Sequence, residues 1–196
     1  MDDDLRRFLD DLYQQGLDLD GAQPDRLRRR RNLEPAAAAL LSVVLQAMGA
    51  ARVVEIGTSN GYSTLWLADA VRGQDGRVLS VDLDPAVQRQ ATSNLDHASL
   101  SPWVELRCAD GAQVLAELPD ASQDVVFLDS ERPEYPGWWP HPVRVLRPGG
   151  LLAVDNVLSH PAEVAPFVRL VVDDPALAST VVAVGKGELL AVKARP

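Results

Sequence analysis

Five times in succession a short apolar run ending in an acid or a polar turn is followed by residues with helical spacing. The runs are "ARVVEIG" (51–57), "GRVLSVD" (76–82), "WVELRCAD" (103–110), "DVVFLD" (124–129) and "GLLAVDN" (150–156). They lead into helices predicted from about Gly61 to Val71, from Pro85, over "GAQVLAEL", near Trp138 to Leu146, and over "PAEVAPFVRLVV". Runs of this kind suit strands buried on both faces, as in a parallel sheet covered by helices on each side. The last two segments, "STVVAVG" (179–185) and "GELLAVKA" (187–194), are joined by "GKG" with no helix between, so they are expected to pair as an antiparallel hairpin at one edge. The expected fold class is therefore α/β: a Rossmann-like doubly wound sheet, mostly parallel, with an antiparallel C-terminal edge hairpin.

No Pro/Gly/Ser-rich linker or low-complexity tract divides the 196 residues, so one domain is expected over 1–196, with an N-terminal helical segment over about 1–45. Leu5, Phe8, Leu9 and Leu12 recur at helical spacing, and residues 2–15 read as an amphipathic helix packing on the domain or on a second subunit. A homodimer is the expected assembly. No apolar run approaches the roughly 20 residues that span a bilayer, and "MDDDLRRFLDDL" is charged where a signal peptide is apolar, so the expectation is a cytoplasmic protein with no membrane partner. The only cysteine, Cys108, falls in "VELRC" and reads as a buried strand residue rather than part of a disulfide framework. A net charge of −9 disfavours nucleic acid as a partner. The local exception, "RLRRRR" at 26–31, reads as a solvated helix face or as a lip over a site for anionic groups.

In open α/β sheets ligands sit at the carboxyl ends of the strands. Glu55, Asp82, Asp110, Asp129 and Asp155 each fall at or near the end of a different predicted strand, forming one acidic rim. A single such acid reads as a helix cap or loop former; five in succession suit a cationic, hydroxyl-rich ligand. The first turn reads Gly57-Thr-Ser-Asn-Gly61 with Glu55 before it, which is not the G-x-G-x-x-G turn of a dinucleotide site. Gly57 and Gly61 permit close approach of backbone to ligand, and Ser63 with the free amides of the following helix start can bind a carboxylate. Asp82, some 25 residues on, is placed to accept from two ribose hydroxyls. Together these features suit S-adenosylmethionine.

"VVEIGTSNGYSTLWLA", "VLSVDLDP", "CADGAQVL", "VVFLDSERPEY" and "LLAVDNV" occur in the order and spacing of the class I methyltransferase fold. Over about residues 30–194 the chain resembles the small bacterial relatives of the catechol and caffeoyl-CoA O-methyltransferases. The resemblance implies Glu55, Gly57 and Ser63 around the methionine part of the cofactor, Asp82 on the ribose and Asp110 beside the adenine. Thr58, Ser59, Gly61, Leu83, Gly111 and Asp129 complete the implied cofactor site, with Asn32 and Leu33 where the family's N-terminal segment closes over it. It further implies a divalent ion on Asp129, Asp155 and Asn156, an oxygen donor set suited to Mg²⁺ and open to Mn²⁺ or Ca²⁺. Such an ion lowers the pKa of a phenolic hydroxyl and orients it, which favours a small phenolic or catechol-like acceptor.

One position departs from the family. Where it carries a lysine three residues after the fourth-strand acid, this chain has Arg132, a poor proton acceptor that suits stabilisation of a developing phenolate. Arg132 and Asp129 are thus the expected catalytic residues, and the general base stays unassigned among Glu131, His141, His160, water and the ion. Tyr135, Trp138 and Trp139 read either as one wall of an aromatic-binding pocket or as rings packing a helix or a subunit interface. Two alternatives stay open at this stage: a metal-independent methyltransferase acting on another small-molecule nucleophile, and a non-catalytic S-adenosylmethionine-binding protein.

Overall fold

A computed structural model describes residues 1–25 and 29–195. Helices α1 (Asp3–Ala22) and α2 (Pro35–Ala47) precede the alternating core: β1 (Arg52–Ile56), α3 (Tyr62–Val71), β2 (Arg77–Asp82), α4 (Pro85–His97), β3 (Val104–Cys108), α5 (Gly111–Glu117) and β4 (Gln123–Leu128). There follow a 3₁₀ segment (Arg132–Trp138), α6 (His141–Arg144), β5 (Leu146–Val154), α7 (Pro161–Asp173), β6 (Leu177–Val182) and β7 (Glu188–Lys193). The seven strands form one sheet in the order β3-β2-β1-β4-β5-β7-β6. β1 to β5 are parallel, whereas β7 runs antiparallel to both β5 and β6, as the short "GKG" connection requires.

The alternation within each strand divides the core between the two faces of the sheet. Val53, Val125 and Phe127 pack with Leu9, Leu41, Leu65 and Leu95 on the face covered by α1 to α4. Val54, Val126 and Leu128 pack with Leu115, Tyr135, Trp138 and Phe167 on the face covered by α5, the 3₁₀ segment and α7. α1 starts where Asp2 accepts from the Leu5 amide at 2.9 Å, and it buries Leu5, Leu9, Leu12 and Gly16 at helical spacing. It runs beyond the expected 2–15, to Ala22. Among the described residues no helix is long and apolar enough to cross a membrane.

Two expectations about elements are corrected. Instead of one helix from Trp138 to Leu146, the chain forms the 3₁₀ segment and the four-residue α6, and Leu146 already opens β5. Pro133, Pro136, Pro140 and Pro142 lack the amide hydrogens a continuous helix would use. Cys108 is exposed rather than buried, because β3 lies at the sheet edge; its Sγ donates to the Leu83 carbonyl at 3.5 Å.

Candidate active site

The carboxyl ends of β1, β2, β3, β4 and β5 open into one cavity of about 470 Å³. Its floor is the β1–α3 turn. Gly57 sits at φ +112°, and a Cβ there would fall 2.1 Å from the Asp129 carbonyl oxygen, so only glycine lets the first and fourth strand ends approach this closely. Gly61, at φ +85°, starts α3 with no side-chain cap, leaving the helix start to face the cavity. Thr58, Ser59 and Ser63 line the same floor.

Asp82 is held as an acceptor at the end of β2: its Oδ2 accepts from the Ser59 amide at 2.9 Å and its Oδ1 from the Asp84 amide at 3.1 Å. Each oxygen keeps lone-pair capacity for a ligand hydroxyl. Leu83 and Gly111 flank it on the cavity wall, and Asp110 caps α5 by accepting from the Gln113 amide at 3.0 Å. A Cβ on Gly111 would lie 2.5 Å from Ile56 Cγ2, so this wall admits little more than backbone.

Glu55 takes a different place from the one expected for a cofactor contact. It is fully buried beneath the turn and is not part of the cavity wall. Ser63 Oγ and Thr64 Oγ1 each donate to it at 2.5 Å, and Ser80 Oγ donates at 2.6 Å. Burial pushes its carboxyl up to about 7 against the pull of those three hydroxyls. The group ties α3 and β2 to β1 and acts on the cavity through Ser63.

At the other end of the cavity Asp129 and Asn156 reach the wall, with Asp155 buried behind them. Asn156 Nδ2 donates to Asp129 Oδ1 at 3.2 Å and to Asp155 Oδ2 at 2.5 Å, so the three side chains expected together are together. Asp155 Oδ1 and both oxygens of Glu188 are buried without a donor, although the Asp155 and Glu188 carboxyl groups lie within hydrogen-bonding reach of each other. Burial, then the Asp155 charge, raises Asp129 well above the usual carboxylate range; burial likewise raises Asp155 and Glu188. Among the described residues no group of three or more His, Cys, Asp or Glu side chains converges to hold a metal ion. What is present is two carboxylates joined by an amide that turns its nitrogen toward them, beside orphaned acceptor oxygens. Rotated about its last torsion, the amide presents Oδ1 instead, and the set becomes three oxygen donors.

The remaining wall consists of ion pairs between distant segments. Arg31 Nη1 pairs with Glu131 Oε1 at 2.9 Å, and Lys186 Nζ with Glu34 Oε1 at 2.7 Å. Arg132 reaches the cavity, but its Nε and Nη2 both donate to Glu163 Oε2 on α7, at 3.0 and 2.8 Å, and the residue is only 3% exposed. Arg29, Arg30, Asn32 and Leu33 also line the cavity, where Asp20 accepts from the Arg30 and Arg31 amides at 2.5 and 2.8 Å. Residues 26–28 of the basic run lie outside the described residues.

Of the three rings expected near the acceptor, Trp138 lines the cavity. Tyr135 and Trp139 pack edge-to-face against Phe167 of α7, and the Tyr135 hydroxyl accepts from the Ser130 amide at 2.7 Å. His160 lines the cavity, whereas His141 accepts at Nδ1 from Arg144 Nε on α6, away from it. Lys186, Glu34, Glu163 and Glu188 were not singled out from the sequence. The one available signal was compositional: Lys186 is one of only two lysines in the chain and sits in the "GKG" turn.

A family model described as O-methyltransferase matches residues 25–194. A protein of Mycolicibacterium vanbaalenii that carries the provisional name O-methyltransferase is 33% identical over 174 residues, covering 82% of this chain and 76% of that one. The catechol O-methyltransferase of Niastella koreensis is 31% identical over 130 residues, covering 65% of this chain and 58% of that one. Among solved structures, the O-methyltransferase TomG of Streptomyces achromogenes in complex with S-adenosylmethionine superposes with a TM-score of 0.77 at 26% identity, covering 100% of this chain and 91% of that one.

Proposed function

The chain belongs to the O-methyltransferase family, and on that premise we propose that it transfers the methyl group of S-adenosylmethionine to a hydroxyl of a small phenolic, catechol-like acceptor with the help of a divalent cation. The observation that carries this reading is the division of one cavity into two chemically distinct ends. One end has the glycine turn, the uncapped start of α3 and the Asp82 carboxylate. The other has Asp129, Asn156 and the buried Asp155.

At the first end, Asp82 takes the ribose hydroxyls, the backbone amides at the start of α3, that of Ser63 among them, take the carboxylate, and Asp110, Leu83 and Gly111 flank the adenine. At the second, Asp129, Asp155 and the Asn156 amide oxygen would hold the cation. When bound, the cofactor supplies an electrophilic methyl on a sulfonium, and the cation supplies Lewis acidity that favours the ionised acceptor hydroxyl. The protein orients the acceptor oxygen and the methyl carbon in line and keeps the two ends a fixed distance apart through the Gly57–Asp129 contact. Trp138 offers an apolar face to an aromatic acceptor. Arg132, paired with Glu163, contributes a fixed positive charge to the wall. The same reading takes the protein to be a homodimer, which sedimentation at micromolar concentration decides.

Calorimetry with S-adenosylhomocysteine, followed by a catechol panel with and without Mg²⁺, tests the proposal. Cofactor binding together with chelator-sensitive methylation is the expected result. Failure to bind S-adenosylhomocysteine overturns the cofactor site, and turnover that survives complete chelation overturns the role of the cation.

A further inference from the structure

The cationic side chain expected from the sequence to stabilise a phenolate at the acceptor end of the cavity, Arg132, spends Nε and Nη2 on Glu163. A second cation approaches from another wall. The turn between β6 and β7 is fixed by three backbone hydrogen bonds to the segment that follows Asn156. Val157 donates to the Gly187 carbonyl at 3.1 Å, and Leu158 and Ser159 donate to the Lys186 carbonyl at 3.0 and 3.1 Å. This anchors Lys186 beside the acid pair, and its side chain lines the cavity.

Resting on the O-methyl transfer reading, we propose that Lys186 is a catalytic residue of the acceptor pocket, whose ammonium contacts the acceptor oxygen and holds it in the ionised form that attacks the methyl group. One of its three N–H donors goes to Glu34 Oε1, leaving two for a ligand. The group is kept as an ammonium: burial favours the neutral amine, but the hydrogen bond and charge of Glu34, together with the charges of Asp155 and Asp129, outweigh it. The charged and titratable groups around the acceptor end are Asp129, Asp155 with Glu188 behind it, the Arg31–Glu131 pair, Arg132 with Glu163, Lys186 with Glu34, and His160. Lys186 differs from Arg132 in being a compact, rotatable donor with unused hydrogens rather than a planar fork spent on one partner.

In the step itself the acceptor O–H loses its proton to solvent water. An oxygen lone pair forms the O–CH₃ bond, and the S–CH₃ electron pair stays on sulfur, turning the sulfonium into a thioether. Lys186 raises the fraction of acceptor ionised before the transfer and gives up no proton in it.

The test follows the ionisation of 4-nitrocatechol, a chromophoric catechol, bound to the S-adenosylhomocysteine complex, with Mg²⁺ and again with chelator. The expected result is a bound pKa at least about one unit below that of the free dye, the scale of one neighbouring charge. Lys186→Met should raise that bound pKa by about one unit, and Lys186→Arg should keep most of the lowering. Glu34→Gln cuts the ion pair, but the charges of Asp155 and Asp129 continue to favour the ammonium, so this variant should retain most of the lowering, which separates the charge of Lys186 from any strapping role. On an accepted catechol, Lys186→Met should lower kcat roughly 10- to 100-fold with S-adenosylhomocysteine affinity unchanged. Equal bound pKa values in wild type and Lys186→Met overturn the proposal, as does a Glu34→Gln variant that loses as much as Lys186→Met. Dye that fails to bind while S-adenosylhomocysteine binds overturns the phenolic acceptor and this role with it; S-adenosylhomocysteine that fails to bind overturns the cofactor site instead.

Discussion

Replacing Glu55 with glutamine should change how stability depends on pH while leaving the cavity wall in place. The carboxyl is fully buried and sits at about 7 in the folded protein against 4.5 as its ordinary value, with desolvation the dominant cause. Below pH 4.5 both folded and unfolded chains hold the proton, and the group is neutral in each. As pH rises from 4.5 to about 7 the unfolded chain releases it first, so the folded state loses stability through this interval and reaches a constant deficit above it. An interval of about 2.5 units at about 1.4 kcal/mol each gives a deficit of about 3 kcal/mol. Glutamine matches the protonated acid in shape, and the hydroxyls of Ser63, Thr64 and Ser80 can rotate to accept from its amide. Urea denaturation of wild type and Glu55→Gln from pH 4.5 to 8 checks this. The stability of the variant relative to wild type should rise by about 3 kcal/mol across the interval and then level off. The raised acids Asp155 and Glu188 are common to both proteins and cancel in the comparison, as does Asp129 apart from the minor part of its rise that comes from the Glu55 charge. Parallel stability curves for the two proteins would refute the reasoning.

Asp82→Ala should weaken S-adenosylhomocysteine by roughly 10- to 100-fold in calorimetry, the effect of removing a charged acceptor from ligand hydroxyls, and should lower the melting temperature of the free protein through the lost bonds to the Ser59 and Asp84 amides. Gly57→Ala places a methyl 2.1 Å from the Asp129 carbonyl at a φ of +112°; beyond about 1–3 kcal/mol of backbone strain it should abolish measurable cofactor binding, which a thermal shift titration detects. Arg132→Lys keeps the charge but loses the two-donor grip on Glu163, and should cost about 1 kcal/mol in urea denaturation while S-adenosylhomocysteine affinity holds within about twofold.

How much of this was legible in the sequence depends on the range over which each feature is determined. The strands could be read because parallel strands covered on both faces are apolar along their length: "DVVFLD" and "GLLAVDN" announce β4 and β5 and the acids at their ends without reference to any other segment. Asp82 and Asp110 were legible from their place at strand ends, Asp82 closing β2 and Asp110 two residues beyond β3, both lining the cavity. Glu55 follows the same pattern and ends elsewhere. An acid in the last residues of a strand points to one face or the other, and only the packing of Ser63, Thr64 and Ser80 around it shows that it lies beneath the turn. Cys108 lies in a strand, yet its exposure follows from β3 being the outermost strand, a property of strand order that no local window contains. The helix expected from Trp138 failed on a local signal that was available, four prolines in ten residues from 133 to 142.

On the proposed function, the cofactor end and the acceptor end of the cavity are specified in different ways, and this bears on where their chemistry can vary. The cofactor end is built from backbone: Gly57, Gly61, the start of α3 and the amides that fix Asp82, all set by short stretches of chain. A change there disturbs the strand ends themselves, as the Gly57–Asp129 approach shows. The acceptor end is walled by long side chains whose partners lie far away in sequence, Arg31 with Glu131 across 100 residues and Lys186 with Glu34 on the other side of the chain. Such pairs are half-exposed, contribute little to folding on their own, and can be exchanged without touching the sheet. Arg132, where the resemblance implies a lysine, is a more buried pair of the same long-range kind: its guanidinium is held by Glu163 on α7, away from the β1–α3 turn. If that reading holds, exchanging these pairs should change selectivity for the acceptor while S-adenosylhomocysteine affinity, set by the cofactor turn, stays the same.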